Sequence, residues 1–95
     1  FTESYVNYRK RNGKGPMRIT QELREKGVND DLIGDYVIPD DEVWEQLACE
    51  LSERRFGRDE RFEDVESRQK FEAKQMRFLQ GRGFTFDQIK KAVRR

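Results

Sequence analysis

GPMRITQELREKGVNDDLIGDYV, residues 15–37, reads as one helix, a glycine stop and a second short helix, and the rest of the chain repeats or completes this hairpin. Pro16 stands at the first helical position, where a missing N–H costs nothing, and Ile19 and Leu23 fall four apart on one face. Lys26-Gly27 closes the helix with a cation and a residue that tolerates φ > 0. Asn29 then caps a helix carrying Leu32, Ile33 and Val37, and Pro39 ends it.

A second copy lies at KQMRFLQGRGFTFDQIKKAV, residues 74–93. Without a gap, Leu23 falls on Leu79, Gly27 on Gly83, Val28 on Phe84, Ile33 on Ile89 and Val37 on Val93, at a constant offset of 56 positions. Matching glycines and apolar positions at one spacing indicate a duplicated supersecondary unit, because each copy must stop its helix at the same place and turn the same face inward.

Composition sets the bounds. Ninety-five residues make one small domain, or two units that share a core. Charged residues are 41% and apolar ones 34%, a balance that favours disorder when the apolar residues are scattered. Here they keep helical spacing between glycine and proline stops, so a thin helical core is expected. A single cysteine gives no disulfide framework, and no apolar run approaches a membrane span or signal sequence, which fits a reducing cytoplasm; no membrane partner is expected. The chain opens at Phe1 partway into a helical unit and is expected to be a fragment of a longer protein.

The net charge of +1 conceals blocks. Residues 1–28 carry seven Lys/Arg against three acids, residues 29–53 none against nine, and residues 54–95 thirteen against seven. Solvated helix faces produce such blocks, but twenty-five residues without a cation also describe a polarised surface with a polar partner.

In chain order, FTESYVNYRKR (1–11) is expected to be a helix with Thr2 as N-cap and Phe1, Tyr5 and Tyr8 on a core-facing stripe. Asn12-Gly13-Lys14-Gly15 is a turn. A phosphate-binding Walker loop needs four residues between its glycines and a Lys-Ser/Thr after them, and this segment has neither. Asp40, Asp41 and Glu42 open a helix to about Arg55 with Val43, Trp44, Leu47, Ala48 and Leu51 on one stripe, before Gly57. Trp44 and Cys49 are packing residues, since a lone cysteine in a chain without histidine has no base to activate it. Residues 58–66 form a charged connector with Phe62 and Val65 as the residues to anchor it. A long helix from about Ser67 to Arg82 turns Phe71, Gln75, Phe78 and Leu79 inward and Arg68, Lys70, Lys74 and Arg77 outward. Thr85 caps a last helix through Val93 with Lys90, Lys91 and Arg94 on its exposed side. The expected fold is all-α: six helices in two tandem three-helix units, residues 1–38 and 39–95, forming an elongated, right-handed or curved array.

These residues resemble the RecX family of bacterial regulators of the RecA recombinase, along nearly the whole chain. The specific pieces are Gly13-x-Gly15 leading to Arg18-Ile19, then Leu23 and Lys26-Gly27-Val28, and later Arg77-Phe78-Leu79 through Arg82-Gly83-Phe84 with Ile89. RecX proteins are built of tandem three-helix units, usually three, and the chain resembles the second and third; the later hairpin departs in lacking a Gly-x-Gly turn ahead of it. The resemblance implies a non-enzymatic protein that binds the RecA filament on single-stranded DNA, lies in its groove, and suppresses ATP hydrolysis, strand exchange and coprotease activity; a monomer is expected. It implies no cofactor, no metal and no catalytic residue.

Two rival readings differ in kind. A helix-turn-helix reader of DNA is opposed at the first hairpin, where Asp30, Asp31 and Asp35 would repel phosphates; Lys90, Lys91 and Arg94 leave nonspecific contact with single- or double-stranded DNA open for the last helix. An enzyme is opposed by the lack of histidine and of any nucleophile–base pairing. The candidate contacts are therefore the cations Arg9, Lys10, Arg11, Lys14 and Arg18, the acids Asp30, Asp31 and Asp35, and the cations Arg77, Arg82, Lys90, Lys91 and Arg94.

Overall fold

The computed structural model describes residues 1–57 and 63–93. Six α-helices follow one another: α1 (Thr2–Arg11), α2 (Pro16–Glu25), α3 (Asp30–Tyr36), α4 (Glu42–Phe56), α5 (Val65–Arg82) and α6 (Phe86–Val93). Helices α1, α2 and α3 pack on one another, and so do α4, α5 and α6. The result is a rod of 49 × 18 × 17 Å.

The duplication is visible bond by bond. At the end of α2 the N–H of Val28 donates to Leu23 O (3.0 Å) and that of Gly27 to Arg24 O (3.0 Å); at the end of α5, Phe84 donates to Leu79 O (3.3 Å) and Gly83 to Gln80 O (3.0 Å). Both stops need a left-handed residue, and Gly27 (φ 85°) and Gly83 (φ 95°) supply it without a clashing Cβ. The next helices also start alike. Asn29 Oδ1 accepts from the N–H of Leu32 (2.8 Å), and Thr85 Oγ1 from that of Gln88 (3.3 Å).

Gln88 goes further than its counterpart. Its Oε1 accepts from the N–H of Thr85 (2.9 Å), completing a reciprocal capping box, and its Nε2 donates to Pro39 O (2.6 Å) in the link between α3 and α4. The side chain is 3% exposed, so this amide pins the start of α6 to the joint between the two groups of helices from the inside.

One hydrophobic cluster runs through both groups. Val6, Ile19, Leu23, Ile33 and Val37 contribute from the first, and Trp44, Ala48, Leu79, Phe84, Ile89 and Ala92 from the second. Trp44 lies near the joint: its Nε1–H donates to Ile38 O (2.8 Å), and the Lys10 ammonium sits 4.7 Å from its ring centroid. The apolar minority of the composition thus makes a core one layer thick, which suits short helices in a rod.

Several expectations are corrected. In α1 the core-facing residues are Val6 and Thr2, whereas Phe1 is 77% and Tyr8 54% exposed; Tyr5 is half-buried and Phe1 stacks on it at the surface. Because the buried stripe passes through Thr2 and Val6, the aromatic stripe through Phe1 and Tyr5 lies one position off the core. Thr2 is therefore inside the helix, and Phe1 occupies the cap position without a side-chain bond. Helix α5 begins at Val65, two residues earlier than expected, because Asp64 Oδ1 accepts from the N–H of Ser67 (2.6 Å). Val65 is 70% exposed and anchors nothing; Phe62 lies outside the described residues.

The long α5 also explains the missing Gly-x-Gly. Residues 69–71, which match Gly13 to Gly15 at the repeat offset, lie inside the 18 residues of α5, which starts earlier relative to the repeat than α2 does, so the helix runs through the position where the first group has its turn. Inward-facing Gln75 donates from Nε2 to Ser52 Oγ (3.2 Å), and Phe56 meets Phe71 and Phe78 edge to face at centroid distances of 5.6 and 5.7 Å, which holds α5 on the end of α4.

Candidate functional site

The two groups meet end to end through backbone. The N–H of Gly15 donates to Arg82 O (2.7 Å) and that of Met17 to Gly83 O (2.9 Å), while Arg18 Nη2 donates to Gly81 O (2.9 Å). Unpaired N–H groups at the start of α2 thereby meet unpaired carbonyls at the end of α5, positive dipole end against negative. This end-to-end seam determines which cations come together.

Lys14, Arg18 and Arg82 gather at the seam with Arg9 nearby. Lys14 is half-buried as a residue, and its pKa is lowered first by partial desolvation and then by the positive charges of Arg82, Arg9 and Arg18, against the opposing pull of Glu22. Arg9 is not available to a partner in the same way. Its Nε and Nη2 donate to the two oxygens of Glu22 at 2.9 and 2.8 Å, and Tyr5 Oη donates to Glu22 Oε1 at 3.0 Å. This half-buried fork ties α1 to α2, and the hydrogen bond to Glu22 raises the Arg9 pKa. Burial pushes the Glu22 carboxyl upward, but the bonds from Arg9 and Tyr5 outweigh it and hold the group below its usual value.

The remaining candidates are scattered. Lys10 lies over Trp44, and Arg82 lies 5.4 Å from the Phe78 ring centroid. Arg11 is exposed at the end of α1. Asp30, Asp31 and Asp35 are exposed together on α3, with Asp30 Oδ1 2.8 Å from Arg24 Nε. Arg77 is exposed on α5 and bonds to the Ala73 carbonyl in its own helix (3.4 Å). Lys90 and Lys91 are exposed on α6, and Lys91 Nζ meets Glu45 Oε1 of α4 at 2.9 Å, a bond that raises the lysine pKa. Arg94 lies outside the described residues.

Beside the seam runs a groove of about 840 Å³ between α2 and the α5–α6 hairpin, with Met17 and Phe86 59% and 66% exposed at it and Arg18 and Arg24 along α2. Sequence reasoning passed over Met17 and Phe86. Each stands in the first turn of its helix, off the stripe that enters the core, and a large apolar residue in that position is the signal that marks it. Among the described residues no group of acids, cysteine or histidine is arranged to hold a metal ion, and no helix is long and apolar enough to cross a membrane.

Known proteins share this pattern. A family model described as "RecX, second three-helix domain" matches residues 1–36, and one described as "RecX, third three-helix domain" matches residues 41–93. Similar curated proteins include the "Regulatory protein RecX" of Halorhodospira halophila, 44% identical over 94 residues that cover 98% of this chain and 55% of that protein. The protein of the same name from Acinetobacter baylyi is 45% identical over 85 residues, 90% of this chain and 49% of the relative. That of Legionella pneumophila is 36% identical over 94 residues, 99% of this chain and 59% of the relative. The chain thus spans about half the length of the curated relatives it matches. With matched family domains on both three-helix groups and glycine stops bonded alike in each, the chain belongs to the RecX family.

Proposed function

We propose that this chain is a non-enzymatic regulator that binds the RecA filament on single-stranded DNA and restrains its ATP hydrolysis, strand exchange and coprotease activity. The observation that carries this reading is the family match along both three-helix groups, residues 1–36 and 41–93. The physical form is suited to it. A rod 49 Å long with cations gathered at its middle and acids exposed on α3 can touch neighbouring subunits of a helical polymer at once, and charge complementarity would set its register there. Residues 1–38 and 39–95 act in this reading as two units joined at the seam, with Lys14, Arg18 and Arg82 facing acidic protein surface or phosphate, and Asp30, Asp31 and Asp35 facing basic groups on the recombinase.

The experiment is RecA ATPase on single-stranded DNA with the polypeptide titrated in. Dose-dependent inhibition is expected. Full activity at saturating polypeptide, with the polypeptide folded, would overturn the reading.

A further inference from the structure

We infer that the groove between α2 and the α5–α6 hairpin is the surface that holds the filament protein, and that its occupant is a carboxylate-bearing segment anchored by one large apolar side chain; this rests on the filament reading above. The groove has the composition of the centre of an interface rather than of ordinary surface. Met17, Met76 and Phe86 supply the apolar contact, Arg18 and Arg24 the charge, and none of the side chains along it is acidic. Aromatic residues, methionine and arginine are the types enriched where protein partners bury their hot spots, and lysine and the acids are depleted there. Two flexible methionines let such a surface adapt to a side chain pressed against it.

The charges favour a protein with carboxylates as the partner. Arg18 spends one Nη2 donor on the Gly81 carbonyl, which fixes the guanidinium at the groove and leaves its other N–H donors for an incoming acceptor. Arg24 already holds one carboxylate, that of Asp30, with Nε at 2.8 Å; the pair is exposed at both ends (61% and 74%), so a second carboxylate can share or replace it at little cost. Phe86 and Met17 project from the first turns of α6 and α2 on either side of the seam. The groove is therefore built by both three-helix groups and exists only while the seam is closed. Another surface depression, about 370 Å³ between α1 and α4, is smaller and carries the acid Glu50 among its cations.

The test measures binding of Met17→Glu/Phe86→Glu to RecA filaments on single-stranded DNA and, separately, to the naked single-stranded DNA, beside wild type and a Val65→Glu control on an exposed site away from the groove. Both changed residues are exposed and in first helical turns, where an acid is compatible with the helix, so unchanged thermal melting is expected. Filament binding should fall by about tenfold or more in the double variant, as for loss of an interface hot spot, with the control and the naked-DNA affinity unchanged. If wild type itself fails to bind filaments, the filament reading falls and this inference with it. If wild type binds and the double variant binds as well, the groove alone is overturned. A parallel loss on naked DNA would make the groove a nucleic-acid surface, and an equal loss in the control would make the effect one of added charge; either result overturns the inference.

Discussion

Gly15 and Gly83 touch backbone to backbone across the seam. A Cβ placed on Gly15 would stand 2.5 Å from the Gly83 carbonyl carbon and 2.6 Å from its oxygen, and one placed on Gly83 would collide with Arg18. Gly15 has extended backbone (φ −86°, ψ 174°), open to any residue, so space alone requires glycine there. The repeat counterpart of Gly83 is Gly27, which keeps the left-handed φ but has nothing within 4 Å of an added Cβ. One glycine stop is therefore only a turn, and the other is a turn and a docking point.

That contrast separates two costs. Gly15→Ala should destabilise by about 1–3 kcal/mol through overpacking against backbone and lengthen the rod by parting the seam. Gly27→Ala should cost about 1–2 kcal/mol from its φ alone and leave the shape unchanged. Urea melts paired with small-angle scattering distinguish them, and an unchanged scattering profile for Gly15→Ala would mean that the seam does not set the shape.

Leu23 and Leu79 are equivalent positions in the repeat, each wholly buried one turn before its glycine stop. Replacing either by Ala should cost about 2–5 kcal/mol, enough to unfold much of a chain this small. Circular dichroism melts are the measurement. Parental melting in both variants would show that the repeat does not define the core.

Acid should loosen the first group through Glu22. Its carboxyl pKa is lowered in the folded state, so the stabilisation is fully present above the ordinary value near 4.5 and is lost as pH falls through the lower folded value. At pH 7, Glu22→Gln should lose about 1.5–3 kcal/mol, the scale of hydrogen bonds to a charged group. The gap between variant and wild type should then close as pH falls below about 4.5. A gap that stays constant into acid would remove the Arg9–Glu22 fork as its cause.

On α6 the two lysines should behave differently. Lys91→Glu sets a carboxylate against Glu45 and should lower the melting temperature, whereas exposed Lys90 can be reversed without a fold effect. If α6 faces the phosphates of the single-stranded DNA, the double reversal Lys90→Glu/Lys91→Glu should weaken filament binding and flatten its salt dependence, by about 0.7 in the logarithmic slope for each phosphate no longer neutralised. Binding at two salt concentrations, with a Glu63→Lys control, measures this. Unchanged binding by folded protein would remove α6 from the interface.

The helix starts and stops were legible in the sequence because each depends on residues within about five positions; the repeat was legible because those local signals recur at one offset, and the segregated charge because it is composition alone. Asn29 and Thr85 cap because the N–H they satisfy is three residues on, and Gly27 and Gly83 stop helices through bonds reaching back five. What lies across from a helix is not local, and there the tertiary structure decided. It turned Val6 inward and left Phe1 and Tyr8 in solvent, since a stripe one position away reached the core better. It gave Arg9 to Glu22 and Lys91 to Glu45, partners 13 and 46 residues distant, so residues that read alike as surface cations divide into those holding the fold and those open to a partner. It also set Gly15 on Gly83 and buried Gln88 against Pro39, contacts that exist only once the two groups of helices stack end to end and each fills the other's unpaired backbone positions.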